Sequence, residues 1–286
     1  MQWFEAVLLG LIQGLTEFLP VSSSGHLEIG KVILGVETTD DLLFTTMVHA
    51  ATVLSTIVVF RQQIWDLLKG LFFGLKGMKI EKSESGSLNL VCNDQTDYIF
   101  KMLVSMIPVF VVGVFLKDHV ESLFGSIHVV GVALIVTALL LFFSDYASRP
   151  GRKSIFPENQ YRNGISYWQA FVVGLGQAFA VVPGLSRSGT TISTGLICGV
   201  KREVMAQFSF LMVLVPILGE TFLEIVGGEF AASSVGALPL ILGFASAFLS
   251  GLFACKVMIA LVKKAKLSWF ALYCLVAAAS IFIFAR

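Results

Sequence analysis

Long apolar runs, broken at intervals by proline, glycine and clusters of hydroxyls, make up most of the chain. Trp3 to Leu19 is apolar apart from Glu5, Gln13 and Glu17, and it is stopped by Pro20, which cannot sit inside a helix without kinking it. Val21 to Val36 follows, short and glycine-rich. Neither piece comfortably reaches the roughly 20 residues that a spanning helix needs. Leu42 to Phe60 is nearly long enough and is closed by Arg61, while Gln62 to Leu75 reads as amphipathic. After a polar loop at about 76–97 come two clear spans, Ile99 to Leu116 and Val129 to Phe143, joined by Lys117 to His128. A second polar loop at about 144–166 carries Arg149, Arg152, Lys153 and Arg162. Trp168 to Val182 and Thr190 to Val200 repeat the broken pair seen at the start. Phe208 to Val226, Leu238 to Val262 and Ser268 to Phe284 are again apolar, with Lys263, Lys264 and Lys266 between the last two.

Composition decides which solvent these runs face. Hydrophobic residues are 56% of the 286 and charged residues only 14%, against roughly a quarter charged in an ordinary globular domain. The chain therefore reads as an all-α integral membrane protein, a polytopic helical bundle forming a single membrane domain over 1–286. A net charge of +1 argues neither for nucleic acid nor for an acidic partner. Cys92, Cys198, Cys255 and Cys274 lack metal-ligand spacing and read as small buried hydrophobes. With no Lys or Arg ahead of the first apolar run, a removable signal peptide is not expected.

An internal repeat sets the expected architecture. Sliding the sequence by about 164 positions pairs Phe4 with Trp168, Gly10 with Gly174 and Gln13 with Gln177, and Ser22, Ser24 and Gly25 with Ser186, Ser188 and Gly189. In the same register Glu17 falls opposite Val181 and Ser23 opposite Arg187, so the copies share a backbone and divide the chemistry. Repeat one covers about 1–145 and repeat two about 165–286. Basic residues collect on cytoplasmic loops, which puts 61–97, 144–166, 201–202 and 263–266 inside, and 117–128, 227–237 and the neighbourhood of Asp40 and Asp41 outside. Each half then holds a re-entrant helical hairpin plus about three full spans. Three is odd, so the second copy is inverted, and the broken helices of the two copies meet near the membrane midplane.

The broken segments carry the candidate chemistry. Gln13 to His26 reads Gln-Gly-Leu-Thr-Glu-Phe-Leu-Pro-Val-Ser-Ser-Ser-Gly-His, and Pro183 to Thr191 reads Pro-Gly-Leu-Ser-Arg-Ser-Gly-Thr-Thr. An ionisable group inside a membrane segment costs at least about 2.5 kcal/mol and marks a site or a buried pair. Gln13 and Glu17 are four apart and share a helix face. The run Ser22, Ser23, Ser24, Gly25 is a natural helix cap with hydroxyls and N–H groups suited to phosphate oxygens. Ser186, Arg187, Ser188 and Gly189 repeat it with a guanidinium, which grips phosphate bidentately. Together with His26, these groups read as a site for a phosphorylated ligand. Blander roles stand beside this one: serines bonding back to their own helix, a structural Glu17–Arg187 pair, and an interfacial His26. His49 is read as structural though near Glu17, and Glu5, Glu220 and Glu224 as packing or lining residues. Trp3, Trp65, Trp168 and Trp269 sit near segment ends, as interfacial anchors do.

These two motifs resemble the signatures of the bacterial undecaprenyl-diphosphate phosphatases of the bacitracin-resistance type, and the resemblance runs over nearly the whole chain. It implies removal of the terminal phosphate of undecaprenyl diphosphate, which recycles the lipid carrier for cell-wall synthesis. Bacitracin enters only indirectly, by sequestering the substrate. The implied setting is the bacterial plasma membrane, with the site open to the outer side. Carried over by position, the catalytic residues are Glu17, Ser23, His26 and Arg187. Gln13, Ser22, Ser24, Gly25, Ser186, Ser188, Gly189 and Thr191 bind substrate, and Glu17 is the ligand of a divalent cation, Mg²⁺ or Ca²⁺. Gln13 stands where the family also has Glu, which leaves Glu17 to supply the negative charge alone, and Ser24 stands where many relatives have Thr.

The expected mechanism is in-line displacement at the distal phosphorus, with Arg187 on the equatorial oxygens, Ser23 as nucleophile and His26 as its proton partner. Glu17 either holds the cation or activates a water, and a direct-water route leaves Ser23 as a phosphate ligand. The alternative function is a lipid-phosphate flippase or secondary transporter on the same inverted-repeat fold. Glycine-rich spans such as Gly243 to Gly251 would permit close helix contacts, as in a homodimer.

Overall fold

The computed structural model describes residues 1–36, 42–77, 79–82, 88–116, 119–120, 122–123, 126–148, 161–219, 235–264 and 266–284. Eleven α-helices run through them: α1 Trp3–Thr16, α2 Ser23–Leu34, α3 Leu42–Val59, α4 Arg61–Lys76, α5 Asp94–Phe115, α6 Ile127–Ala147, α7 Tyr167–Phe179, α8 Arg187–Ile197, α9 Arg202–Met212, α10 Ala237–Lys264 and α11 Ser268–Phe284. Asp40, Asp41, Lys117, Arg149, Arg152, Lys153, Glu220, Glu224 and most of the 227–237 loop lie outside the described residues.

The helix limits follow the punctuation in the sequence. Pro20 and Pro183 sit in the two breaks, and Ser22 and Ser186 cap the helices that follow them by accepting from the N–H groups of Gly25 at 3.2 Å and Gly189 at 3.1 Å. Ser166 caps α7, taking the Gln169 N–H at 3.1 Å while Gln169 Oε1 accepts from the Ser166 N–H at 2.9 Å. Glu5 does the same for α1: its carboxylate accepts from the Gln2 N–H at 2.6 Å, so it is a cap and not a packing residue.

Four stretches among the described residues are long and apolar enough to cross a membrane: Asp94–Phe115, Ile127–Ala147, Arg202–Gly219 and Ala237–Val262. The pair α3 and α4 brings this to five if taken as one span, although it bends by 76° at its break. At 17 residues α11 lies at the short end of spanning length. The protein is thus a helical, multi-pass membrane bundle, with one small exception among the described residues. The stretch expected as a polar loop at about 76–97 contains an antiparallel hairpin, β1 Lys79–Lys82 and β2 Leu88–Val91, with Lys79 opposite Val91, and α5 already begins at Asp94. Asn93 makes that early start possible by capping α5, accepting from the Thr96 N–H at 2.8 Å.

Close approaches between helices hold the breaks in place. A Cβ on Gly10 would lie 2.3 Å from the Gly243 carbonyl oxygen, and one on Gly14 would lie 2.5 Å from that of Ala247, so α1 and α10 touch backbone to backbone. Gly174 of α7 lies against α5 in the same manner, with the Ser105 carbonyl oxygen 2.2 Å from where its Cβ would be. The first helix of each half therefore packs on a long span of the other half, and α6 packs on α11 between them. The stripe from Gly243 to Gly251 is consumed by this packing: Gly243 meets Phe44 and the Ala6 carbonyl, and Gly251 meets Ser55. The close helix contacts that this stripe was expected to permit are thus made within the chain.

Candidate active site

Both breaks turn on backbone conformations that the sequence supplies. Ser22 has φ +71° and Gly184 has φ +86°, a region that only glycine enters without strain. The two elbows so formed meet tip to tip. The Gly184 N–H donates to Ser24 Oγ at 3.4 Å, and Ser188 Oγ donates to the Leu19 carbonyl at 3.0 Å. A Cβ on Gly25 would lie 3.3 Å from Gly184 Cα, and one on Gly189 would lie 3.3 Å from Pro20 Cβ. The residues at these crossings are the glycines and serines of the two motifs because larger side chains would push the elbows apart.

Glu17 sits one residue past α1, with its side chain 9% exposed, and gathers the charged groups. Ser23 Oγ donates to Glu17 Oε2 at 2.6 Å, and Gln13 Nε2 donates to the same oxygen at 2.8 Å. Arg187 comes from the other elbow, its nearest guanidinium nitrogen 3.7 Å from Glu17 Oε1. His49 of α3 lies on a third side, with Nε2 3.9 Å from Oε2. Because its Nδ1 donates to the Thr45 carbonyl at 2.9 Å, Nε2 is the nitrogen left to face the carboxylate. The sequence read His49 as structural though near Glu17, and the structure places it beside that carboxylate.

His26 goes elsewhere. Its Nδ1 is 2.7 Å from the Ser22 carbonyl, to which it must donate, and its Nε2 is 2.7 Å from the Tyr273 hydroxyl, with the two rings stacked. Both nitrogens are occupied by the elbow backbone and by α11, so the arrangement does not bring His26 to the Ser23 hydroxyl as expected. The carboxylate of Glu17 holds that place instead. The serines are also more structural than the sequence suggested. Ser22 and Ser186 are caps and Ser24 and Ser188 tie the elbows together, while Thr191 Oγ1 donates to the Arg187 carbonyl at 2.9 Å and lies 2.7 Å from Ser209 Oγ.

A cleft opens beside the junction. Its polar wall consists of Glu17, Thr56, Gln177, Arg187, Ser188, Thr191 and Ser209, and Phe210, Val213 and Ile217 form part of an apolar wall. The sequence did not single out Thr56, Gln177 or Ser209. Only Gln177 carried a signal, its place opposite Gln13 in the repeat. The first two N–H groups of α8, from Arg187 and Ser188, have no acceptor within their helix and add positive potential beside the guanidinium.

A divalent cation finds hard oxygens here. Both hydrogen bonds to the Glu17 carboxylate fall on Oε2, so Oε1 is engaged only by the longer Arg187 contact, and Gln13 Oε1 is buried with no hydrogen-bond partner among the described residues. No group of three or more His, Cys, Asp or Glu side chains gathers among the described residues. These donors therefore fit a cation whose remaining ligands are water and substrate phosphates, the usual habit of Mg²⁺.

Comparison with known proteins gives the family. The chain is 51% identical to an undecaprenyl-diphosphatase of Bacteroides fragilis over 96% of its own length and 95% of the relative's. It is 50% identical to one of Parabacteroides distasonis over 97% and 96%, and 34% identical to one of the archaeon Korarchaeum cryptofilum over 96% and 97%. Residues 6–280 match the family described as bacitracin resistance protein BacA, and the chain belongs to that family.

Proposed function

We infer that the protein is a membrane undecaprenyl-diphosphatase, hydrolysing undecaprenyl diphosphate to the monophosphate and inorganic phosphate. The observation that carries this reading is the junction itself: Ser23 bonded to Glu17, with Arg187 of the opposite elbow 3.7 Å from that carboxylate and a cleft beside them lined by both Glu17 and Arg187. A structural membrane protein has no use for a carboxylate and a guanidinium held 3.7 Å apart without a direct hydrogen bond.

Arg187 and the first N–H groups of α8 hold the oxygens of the distal phosphate, where charge must be stabilised throughout phosphoryl transfer. Ser23 Oγ attacks the distal phosphorus and its proton passes to Glu17 Oε2, 2.6 Å away. The bond from that phosphorus to the bridging oxygen breaks, and the lipid monophosphate leaves with the proton handed on from Glu17, which restores the carboxylate. Water then hydrolyses the phosphoserine, with Glu17 again the nearest base, releasing inorganic phosphate. Gln13 fixes the carboxylate during both steps. His26 clamps the strained Ser22 carbonyl to Tyr273 and so holds Ser23 in register. A divalent cation held by Glu17 and Gln13 would neutralise diphosphate charge when bound.

The reciprocal packing of α1 on α10 and α7 on α5 supports the inverted-repeat arrangement. On that plan the protein lies in the plasma membrane with the site open to the outer leaflet. The decisive experiment is phosphate release from a polyprenyl diphosphate by purified protein in detergent, with and without chelator, comparing wild type with Arg187→Ala. Detergent has no compartments, so intact substrate would point to a flippase. Loss of release in Arg187→Ala supports the phosphatase.

A further inference from the structure

Gln177 is a polar residue of the cleft that this mechanism does not use. It lies in the last turn of α7, is 2% exposed, and lines the cleft alongside Glu17 and Arg187. Neither atom of its carboxamide has a hydrogen-bond partner among the described residues. A buried amide left wholly unpaired costs about 1–3 kcal/mol, so its presence needs a reason.

The repeat provides one. Gln13 holds the matching place in α1 and spends its Nε2 on Glu17 at 2.8 Å. In the second copy the matching position is Val181, so Gln177 has lost the carboxylate acceptor of its own elbow. The same backbone thus delivers one glutamine to a protein carboxylate and the other, buried and unpaired, to the wall of the cleft that Arg187 also lines. The acceptor that an unpaired amide beside a guanidinium in this cleft invites is an anion from outside the chain.

We propose that Gln177 is a substrate contact, donating its Nε2–H to a non-bridging oxygen of the diphosphate held by Arg187. Its Oε1 then accepts from a phosphate hydroxyl or from a water carried in with the head group. The assignment rests on the reading of the cleft as the diphosphate site.

The test uses Gln177→Met, nearly isosteric and apolar, and Gln177→Glu, isosteric and acidic, both as full-length protein in detergent. Three quantities are read: kcat/KM for phosphate release from a polyprenyl diphosphate, inhibition by inorganic pyrophosphate, and melting temperature. In Gln177→Met, kcat/KM falls about tenfold to a hundredfold, as expected for loss of a hydrogen bond to a charged group. Pyrophosphate inhibition weakens in parallel, and the protein melts at the wild-type temperature or above, since an unpaired buried amide has been removed. Gln177→Glu sets a carboxylate against phosphate and loses more activity than the methionine variant. Wild-type kcat/KM in Gln177→Met overturns the proposal, and so does a loss that tracks a lowered melting temperature, which is the mark of a structural role. Gln177→Glu at least as active as Gln177→Met overturns it as well. Arg187→Ala, assayed alongside, separates the two readings: if it retains activity, the cleft is not the diphosphate site and Gln177 is not the point of failure.

Discussion

Buried charges occur in two kinds of place in this molecule, and they are treated differently. At the start of α5, Asp97 accepts from Lys101 Nζ at 2.6 Å, from Asn163 Nδ2 at 2.9 Å and from the Tyr167 hydroxyl at 2.9 Å, and Lys101 also donates to the Arg162 carbonyl at 2.7 Å. At the end of α6, Asp145 accepts from Arg202 at 2.6 Å and from Ser268 Oγ at 3.0 Å, and Arg202 also donates to Ser148 Oγ at 2.8 Å. At the elbow junction, by contrast, Glu17 and Arg187 stand 3.7 Å apart, and unpaired amide atoms of Gln13 and Gln177 lie buried nearby. The first two clusters spend their hydrogen-bonding capacity inside the chain, as buried ions must if they are to stabilise a fold. The junction withholds it, which is sensible only if another molecule completes the set.

The sharpest way to break this contrast is to remove a charge from each place. Arg187→Ala should lower phosphate release on the order of a thousandfold, the scale of losing a transition-state charge contact, while leaving the melting temperature close to wild type. Lys101→Met should do the reverse: it strands Asp97 and should destabilise the protein by about 3–5 kcal/mol, with turnover per folded molecule unchanged. If thermal melts and single-variant kinetics show both substitutions acting on the same property, the distinction between saturated and open charge clusters fails.

Packing at the two halves gives a smaller effect. Gly174→Ala forces α7 away from the Ser105 carbonyl of α5, where the added carbon would sit at 2.2 Å. The expected cost is about 1–3 kcal/mol of stability. Activity should fall too, because α7 carries Gln177 and leads into the second elbow. The matching Gly10→Ala on α1, whose Cβ would lie 2.3 Å from the Gly243 carbonyl, should behave alike if the halves are built on one plan.

What the sequence made legible was local. Proline, glycine and hydroxyl runs fixed both breaks to within a few residues, since capping and φ restriction act over a single turn. The charge-bearing residues Glu17 and Arg187 were evident because each is expensive in an apolar setting. The β1–β2 hairpin was missed because its segments are short, and pairing depends on a partner strand more than on composition. The partner of His26 was missed for a related reason: Tyr273 lies 247 residues further along, and no periodicity connects them. Spacing alone placed His26 one turn from Ser23, but the open Ser22 carbonyl took its proton first. Gln177 was visible as a repeat partner of Gln13, yet its unpaired state exists only in three dimensions.

The smallest expected effect tests the positioning role left to His26. Tyr273→Phe keeps the stacked ring and removes one hydroxyl from His26 Nε2, a loss of about 1 kcal/mol at most in stability. If His26 serves by clamping the Ser22 carbonyl, through which Ser23 is aimed at Glu17, then kcat should drop only a few-fold with KM nearly constant. The pH profile should keep its shape, because the groups exchanging protons are Ser23 and Glu17. If His26 were itself the proton partner of Ser23, freeing Nε2 would change its proton affinity and displace the pH profile. A displaced profile in Tyr273→Phe would therefore return His26 to the chemistry and leave Glu17 to bind the cation, whereas an unmoved one keeps Glu17 as the base that serves Ser23.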